Sequence, residues 1–217
     1  MATSEKTFVT CTIKYLDKTL HTQQIDHLPA LDSWLAMPAP ISDFERQALL
    51  HYQQVLEFNF RDWFEGELDS HFIGPIFALV NFSTPRSNHF EERELSAVVD
   101  GIRLFGRPDG VVASGRREPE IPYFAFQEYK RNLDPNGDPA GQCLAAMLAA
   151  HELNNDALPL YGCYVVGSVW QFLVLEGRQY SISSDYSART DALFDIFRIL
   201  KALRQLVAER VAGIVTT

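Results

Sequence analysis

Basic residues are scarce in this chain. Lys and Arg number 19 against 28 Asp and Glu, a formal net charge of −9. A globally acidic protein is not steered non-specifically to nucleic acid, so any polyanion site must be local. Cysteine is scarce as well: Cys11, Cys143 and Cys163 are odd in number and far apart. That excludes a disulfide framework and a Cys-x-x-Cys zinc site, and it fits a reducing compartment. No stretch approaches 18 uninterrupted apolar residues, as a membrane-spanning helix requires. The longest apolar run, Phe72 to Val80, contains Gly74 and Pro75. The first residues, MATSEKTFVTCTIKYLDK, lack the apolar h-region of a secretory signal, so a cytoplasmic location is expected. Several chemical signatures are missing too. There is no Gly-x-Gly-x-x-Gly, no Gly-Lys-Ser/Thr phosphate loop and no Gly-x-Ser-x-Gly elbow. His151-Glu152 lacks the second His of a zincin. Asp134, Asn136 and Asp138 begin like a calcium loop, but Pro139 stands where Gly is needed and Ala145 where Glu is needed.

What remains is enough for a core. The hydrophobic fraction is 47%, with 15 Phe, 8 Tyr and 3 Trp, so 217 residues suit one globular domain. The charge is uneven: residues 1–100 carry 7 basic against 15 acidic groups, and residues 101–131 carry 6 against 4. The middle segment is therefore the best place for a phosphate-binding surface. Aromatic and basic residues interleave little outside it.

Val9, Cys11, Ile13 and Tyr15 alternate with polar residues and predict a strand, with a second running through Ile25. Residues 1–38 thus read as an N-terminal strand extension to a core over 40–217. Met37-Pro38-Ala39-Pro40 is a breaker. Ser42 and Glu45 form a capping-box pattern, opening an amphipathic helix over 42–65. A buried helical stretch follows over 67–82, interrupted or restarted at Gly74-Pro75. Thr84 to Asn88 reads as loop. Strands are expected over Leu95–Leu104, Val111–Ala113 and Tyr123–Lys130, close enough to form a meander. Asp138 suits the N-cap and Pro139 the first position of a buried helix reaching about His151. Strands at 161–166, 169–175 and 179–183 lead to a last helix from about Thr190 to Gly213. The class is α/β, or α+β: a central mixed sheet flanked by helices, with a C-terminal helix.

One constellation carries chemistry. Asp109 follows Pro108 at a strand start, and Glu128-Tyr129-Lys130 lies on the next strand. Alternation puts Glu128 and Lys130 on one side. If the strands are neighbours, two carboxylates converge beside an ammonium. Paired anions need a cation, and hard oxygen ligands suit Mg²⁺ or Mn²⁺. The Tyr129 carbonyl is a further candidate oxygen. Lys130 would hold or deprotonate an attacking water. The plain alternative is a Pro-Asp-Gly turn beside a solvated strand face. A core strand ending in Gln-Glu-Tyr-Lys nonetheless needs partners for its charges.

Pro108-Asp109 and Glu128-Tyr129-Lys130 resemble the motif of the PD-(D/E)XK nuclease superfamily. The element order over about 40–212 is also similar to its restriction-endonuclease-like core, αβββαβ. The resemblance implies Mg²⁺-dependent cleavage of phosphodiester bonds in DNA or RNA, with Asp109 and Glu128 on the metal and Lys130 on the water. It also implies a Glu from the first core helix, for which Glu67 is the candidate and Glu57 and Glu65 compete. Gln142 matches a Gln that several branches carry on the helix after the motif strand. Arg116 and Arg117, between the two motif strands, are the expected phosphate contacts. Nucleic acid is the expected partner, no membrane is involved, and a homodimer is an allowed assembly. No separate reader domain is visible. The alternative function is a catalytically inactive domain of this fold, acting as a protein-binding or scaffold module.

Overall fold

The computed structural model describes residues 4–131 and 137–213. Its N-terminal segment is mainly helical. Strand β1 (Ser4–Thr7) gives way to one 3₁₀ turn and then to helix α1 (Ile13–Leu20). The strand expected from Val9 to Tyr15 is therefore not formed. Leu16 and Leu20 continue the apolar positions from Ile13 at helical spacing, and caps decide the outcome. Thr12 Oγ1 accepts from the Tyr15 amide at 3.1 Å, and Asp138 Oδ2 accepts from the Ile13 amide at 2.7 Å. The second expected strand survives as two residues, β2 (Gln23–Gln24). Helix α2 (Pro29–Ala36) stops at the Met37-Pro38 breaker.

Helix α3 (Asp43–Asn59) opens on the expected capping box, with Ser42 N donating to Glu45 Oε2 at 2.7 Å. It ends six residues earlier than its apolar spacing suggests. The amides of Asp62 and Trp63 both turn back to the Asn59 carbonyl, at 2.9 and 3.1 Å, and Trp63 is buried. Helix α4 (Glu65–Leu68) then runs through a π turn (Asp69–Ile73) into helix α5 (Gly74–Val80). A new helix does start at Gly74-Pro75, as expected, and the backbone stays helical across the junction. Pro75 has no amide to donate, and the Gly74 amide reaches the Asp69 carbonyl five residues back.

Strand β3 (Ser87–Glu91) begins inside the segment read as loop. The single strand expected over Leu95–Leu104 is a hairpin, β4 (Leu95–Val99) and β5 (Ile102–Gly106). Asp100 and Gly101 both take positive φ, 50° and 80°, as a two-residue Asp-Gly hairpin turn requires. This hairpin joins β1 in a small sheet of order β1-β5-β4. The meander is instead made by β3, β6 (Gly110–Ser114) and β7 (Glu120–Lys130), in the order β7-β6-β3. After it come α6 (Pro139–Asn154), β8 (Leu160–Val166), β9 (Val169–Glu176), β10 (Gln179–Ile182), β11 (Tyr186–Ser187) and α7 (Ala192–Gly213). Asp138 caps α6 as expected, accepting from the Gly141 amide at 2.9 Å. Asp134 and Asn136 of the calcium-like turn lie outside the described residues.

The large sheet runs β2-β10-β9-β8-β7-β6-β3, with β7 and β8 parallel and β6 and β7 antiparallel. Helices flank it, and a C-terminal helix closes the fold, so the α/β class and the mixed sheet are as the sequence implies. One face packs Val112, Phe124 and Trp170 against Trp34, Phe72, Phe77 and Phe197 from α2, the π turn, α5 and α7. The other packs Val111, Phe126 and Leu173 against α6 and α1. Fully burying one such side chain contributes roughly 1.5–3 kcal/mol. Among the described residues, no helix is long and apolar enough to cross a membrane.

Candidate active site

The antiparallel β6–β7 register pairs Gly110 with Gln127. This brings Asp109 to the end of β7, where its Oδ2 accepts from the Tyr129 amide at 2.6 Å. The same packing explains Gly110. A Cβ there would run into Gln127 Oε1 and His89 Nε2. Those two atoms lie 3.0 Å apart, with His89 donating to the Gln127 carbonyl oxygen. His89 also stacks on Phe77 at 5.1 Å between ring centroids, and burial lowers its pKa, so the ring is neutral. The Asp-Gly step is thus fixed by close packing at the strand entrance.

Alternation on β7 does what the spacing predicts. Lys130 Nζ lies 2.8 Å from Glu128 Oε1, while Tyr129 turns the other way, into the core beside Phe77. Lys130 Nζ is also 3.9 Å from Asp109 Oδ2 and 3.7 Å from Glu65 Oε1, and it donates to the Tyr129 carbonyl at 2.7 Å. One ammonium therefore stands among three carboxylates. Glu65 begins α4, so of Glu57, Glu65 and Glu67 the fold brings Glu65 to the motif. Glu67 is exposed and bound to its own helix start, accepting from the Phe64 amide at 2.8 Å. Glu57 is held by Arg189 at 2.8 Å.

The surroundings are more acidic than the motif alone. A cavity of about 400 Å³ is lined by Glu65, Asp69, Glu91, Glu92, Asp109 and Tyr129. Asp69 arrives on the π turn, and Glu91 ends β3 opposite Gly110. Glu92 follows it, its amide donating to the Asp109 carbonyl at 3.2 Å. Burial, then the charges of Glu91, Asp109, Glu92 and Glu65, push Asp69 up to about 6. Burial, then Asp109, pushes Glu128 up to about 7 despite Lys130. Asp109 is raised by burial too, although the Tyr129 amide and Lys130 pull it back. Burial pulls Lys130 down, but Glu128, Asp109 and Glu65 outweigh it and hold the ammonium above the ordinary lysine value. A lysine so held is protonated at neutral pH. It donates hydrogen bonds and positive charge, and it does not deprotonate water in this state.

Gln142 is buried on the first turn of α6, the helix covering the sheet face from which Phe126 projects and, by alternation, Glu128 and Lys130. No hydrogen bond or ion pair joins it to Asp109, Glu128 or Lys130 among the described residues. Arg116 and Arg117 are exposed on the β6–β7 connection. With Arg93 they line a second cavity of about 540 Å³, which shares Glu91 and Glu92 with the first. The sequence reading missed Asp69, Glu91 and Glu92. The available signals were faint: the Gly74-Pro75 step, which follows the π turn carrying Asp69, and a short strand, Ser-Asn-His-Phe-Glu, with weak alternation.

The donors are hard oxygens, and they crowd. Carboxylates held this close are costly unless a cation joins them, which is the chemistry a divalent ion satisfies. Among the described residues, no three His, Cys, Asp or Glu side chains are gathered as a ready metal cluster. Lys130 occupies the position between Asp109, Glu128 and Glu65. A scan against protein-family models and a search of curated proteins both found no match to this chain.

Proposed function

We propose that this protein is a Mg²⁺- or Mn²⁺-dependent nuclease of the PD-(D/E)XK type, on a restriction-endonuclease-like core, hydrolysing phosphodiester bonds of DNA or RNA. The observation that carries the reading is the convergence of Asp109, Glu128 and Lys130, with Glu65 within reach of the ammonium and Asp109 and Glu65 lining an acidic cavity. Asp109, Glu128 and Glu65 would hold the metal, with the Tyr129 carbonyl as a further oxygen. Glu65 takes the role that the sequence offered to Glu67. When bound, a divalent ion supplies Lewis acidity to the phosphoryl oxygen and lowers the pKa of coordinated water.

The chain's own residues divide the rest. Lys130, released from the carboxylates it now pairs with, donates to the attacking water and stabilises negative charge on the phosphate. The Tyr129 amide fixes the Asp109 carboxylate. The neutral His89–Gln127 pair and Gly110 set the β6–β7 spacing that brings both acids together. Gln142 would support the Glu128 side from α6. Arg116 and Arg117 sit where a phosphate chain leaving the acidic cavity would meet positive charge. Three free, buried cysteines suit a reducing cytoplasm.

A second reading is a catalytically inactive module of the same fold. It is favoured by one observation: Lys130 already pairs with Glu128 and stands between Asp109 and Glu65, so a protein cation occupies the centre of the cluster and offsets part of its charge. Calorimetry with Mn²⁺ separates the two. The nuclease reading expects weak binding that disappears in Asp109→Ala. Equal binding by wild type and variant, or none by either, removes the metal site.

A further inference from the structure

The acidic cavity has one border of different chemistry. From the end of α3 the chain runs Phe60-Arg61-Asp62-Trp63-Phe64 into Glu65 of the site. Trp63 is buried and anchors this segment, yet Phe64 is 69% exposed. Arg131, the residue after Lys130, places its guanidinium 5.0 Å from the centre of the Phe64 ring. Its Nη2 donates to the Arg61 carbonyl at 3.1 Å, while its Nε is buried without a hydrogen-bond partner among the described residues. Phe60 has two guanidinium groups over its ring, Arg189 at 3.9 Å and Arg61 at 5.4 Å from its centre. Arg189 is tied to Glu57 by two hydrogen bonds, 2.8 and 3.1 Å. Arg61 and Arg131 have no carboxylate partner among the described residues. The border thus carries three arginines against Glu57 and Asp62, in a protein whose net charge is −9. Sequence order hides it, because its members come from 60–64, 131 and 189.

Aromatic rings interleaved with guanidinium groups, two of which have no carboxylate partner among the described residues, fit one class of ligand. Unstacked bases lie on aromatic rings and arginine planes, and the intervening phosphates pair with the arginines. A duplex offers no free base face to Phe64. Beyond the acidic cavity, Arg93, Arg116 and Arg117 line the adjoining one, so positive charge borders the carboxylates on both flanks. We propose that the protein takes single-stranded nucleic acid, with a base stacked on Phe64 and phosphates held by Arg61 and Arg131 as the strand enters the Asp109–Lys130 site. The direction of entry rests on the nuclease reading; the stacking platform does not.

The test is fluorescence anisotropy with the full chain. The probes are an oligothymidine, its RNA counterpart and a duplex of matched length, in Ca²⁺ and in EDTA. Single strands should bind at least ten-fold tighter than duplex. Phe64→Ala should weaken single-strand binding roughly 5- to 150-fold, the range for one base–aromatic stack. Phe64→Trp should restore it. Arg61→Ala should reduce the salt slope by about one. Phe44→Ala, which removes a comparably exposed ring at the opposite end of α3, should change nothing. Preference between DNA and RNA strands identifies the source. Equal affinity for duplex, or a Phe64→Ala protein indistinguishable from wild type, overturns the platform. Cleavage that persists with such an indifferent Phe64 leaves the nuclease reading standing and this one fallen. Stacking-dependent binding with no cleavage by any probe does the reverse.

Discussion

Replacing Glu128 by Gln should stabilise the metal-free protein. Glu128 is 6% exposed, and burial with the Asp109 charge moves its carboxyl from 4.5 to about 7. A displacement of that size corresponds to a penalty of about 3 kcal/mol once the group is ionised. The amide removes the penalty but also weakens the attraction to Lys130 at 2.8 Å. It keeps an oxygen acceptor for the ammonium, which retains Asp109 and Glu65 as charge partners. A net gain of about 1–2 kcal/mol is expected, a rise in Tm of roughly 2–8 °C at this chain length. The sign with pH follows from the raised pKa. Below about 4.5, folded and unfolded wild type are both protonated at Glu128, and the two proteins should melt together. Between about 4.5 and 7 the folded wild type holds a proton that the unfolded chain has lost, so its stability falls as pH rises. The variant's advantage should therefore open across that window and be complete above it. Thermal melts in EDTA from pH 4 to 8 read this directly. A fall in Tm of more than about 4 °C at pH 7.5 would refute the reasoning, because it would make Glu128 a needed ion-pair partner of Lys130.

The other predictions concern neighbours of the site. Gly110→Ala should cost roughly 1–3 kcal/mol by overpacking Gln127 and His89, read as a lower Tm and a changed His89 NMR signal; an unchanged melt would mean the strand entrance is slack. Asp138→Ala should cost on the order of 1–3 kcal/mol, since one carboxylate serves the Gly141 amide of α6 and the Ile13 amide of α1; a loss below about 0.5 kcal/mol by urea melts would show that water replaces it. Lys130→Ala should destabilise the apo protein by leaving Asp109, Glu128 and Glu65 without their ammonium. Added Mg²⁺ should raise its Tm more than that of wild type, and an equal Mg²⁺ effect on both would argue against a shared cation position.

What the sequence made legible was whatever local chemistry determines. The Ser42–Glu45 capping box, the Asp138-Pro139 helix start and the alternation on Tyr123–Lys130 are short-range devices, and each formed as read. Alternation alone places Glu128 and Lys130 on one side of β7, with no long-range contact needed. The failures lie where two periodicities overlap or where a partner is distant. Cys11, Ile13 and Tyr15 alternate, but Ile13, Leu16 and Leu20 repeat helically, and Asp138, 125 residues away, settles the matter by capping Ile13. The Asp100-Gly101 pair is a readable hairpin signal, obscured in the sequence by the apolar runs on either side, and the turn forms. Choosing Glu65 over Glu67 depended on where α3 ended, which the Asn59 carbonyl fixed by accepting from Asp62 and Trp63. Glu91, Glu92 and Asp69 reach the cavity only through strand pairing and a π turn.

The central claim is that Asp109, Glu128 and Lys130 form a metal-dependent phosphodiesterase site. Its most direct test is cleavage of single-stranded and duplex DNA and RNA in Mg²⁺ or Mn²⁺ by wild type, Asp109→Ala and Lys130→Ala, prepared identically. Wild type should cut, and Asp109→Ala should be inactive and bind no Mn²⁺. Lys130→Ala should keep Mn²⁺ while losing on the order of 10²–10³ in rate, with Lys130→Arg failing to rescue because a planar guanidinium cannot replace a compact ammonium. Equal cutting by all of these proteins, or no cutting by wild type on any substrate, would contradict the account.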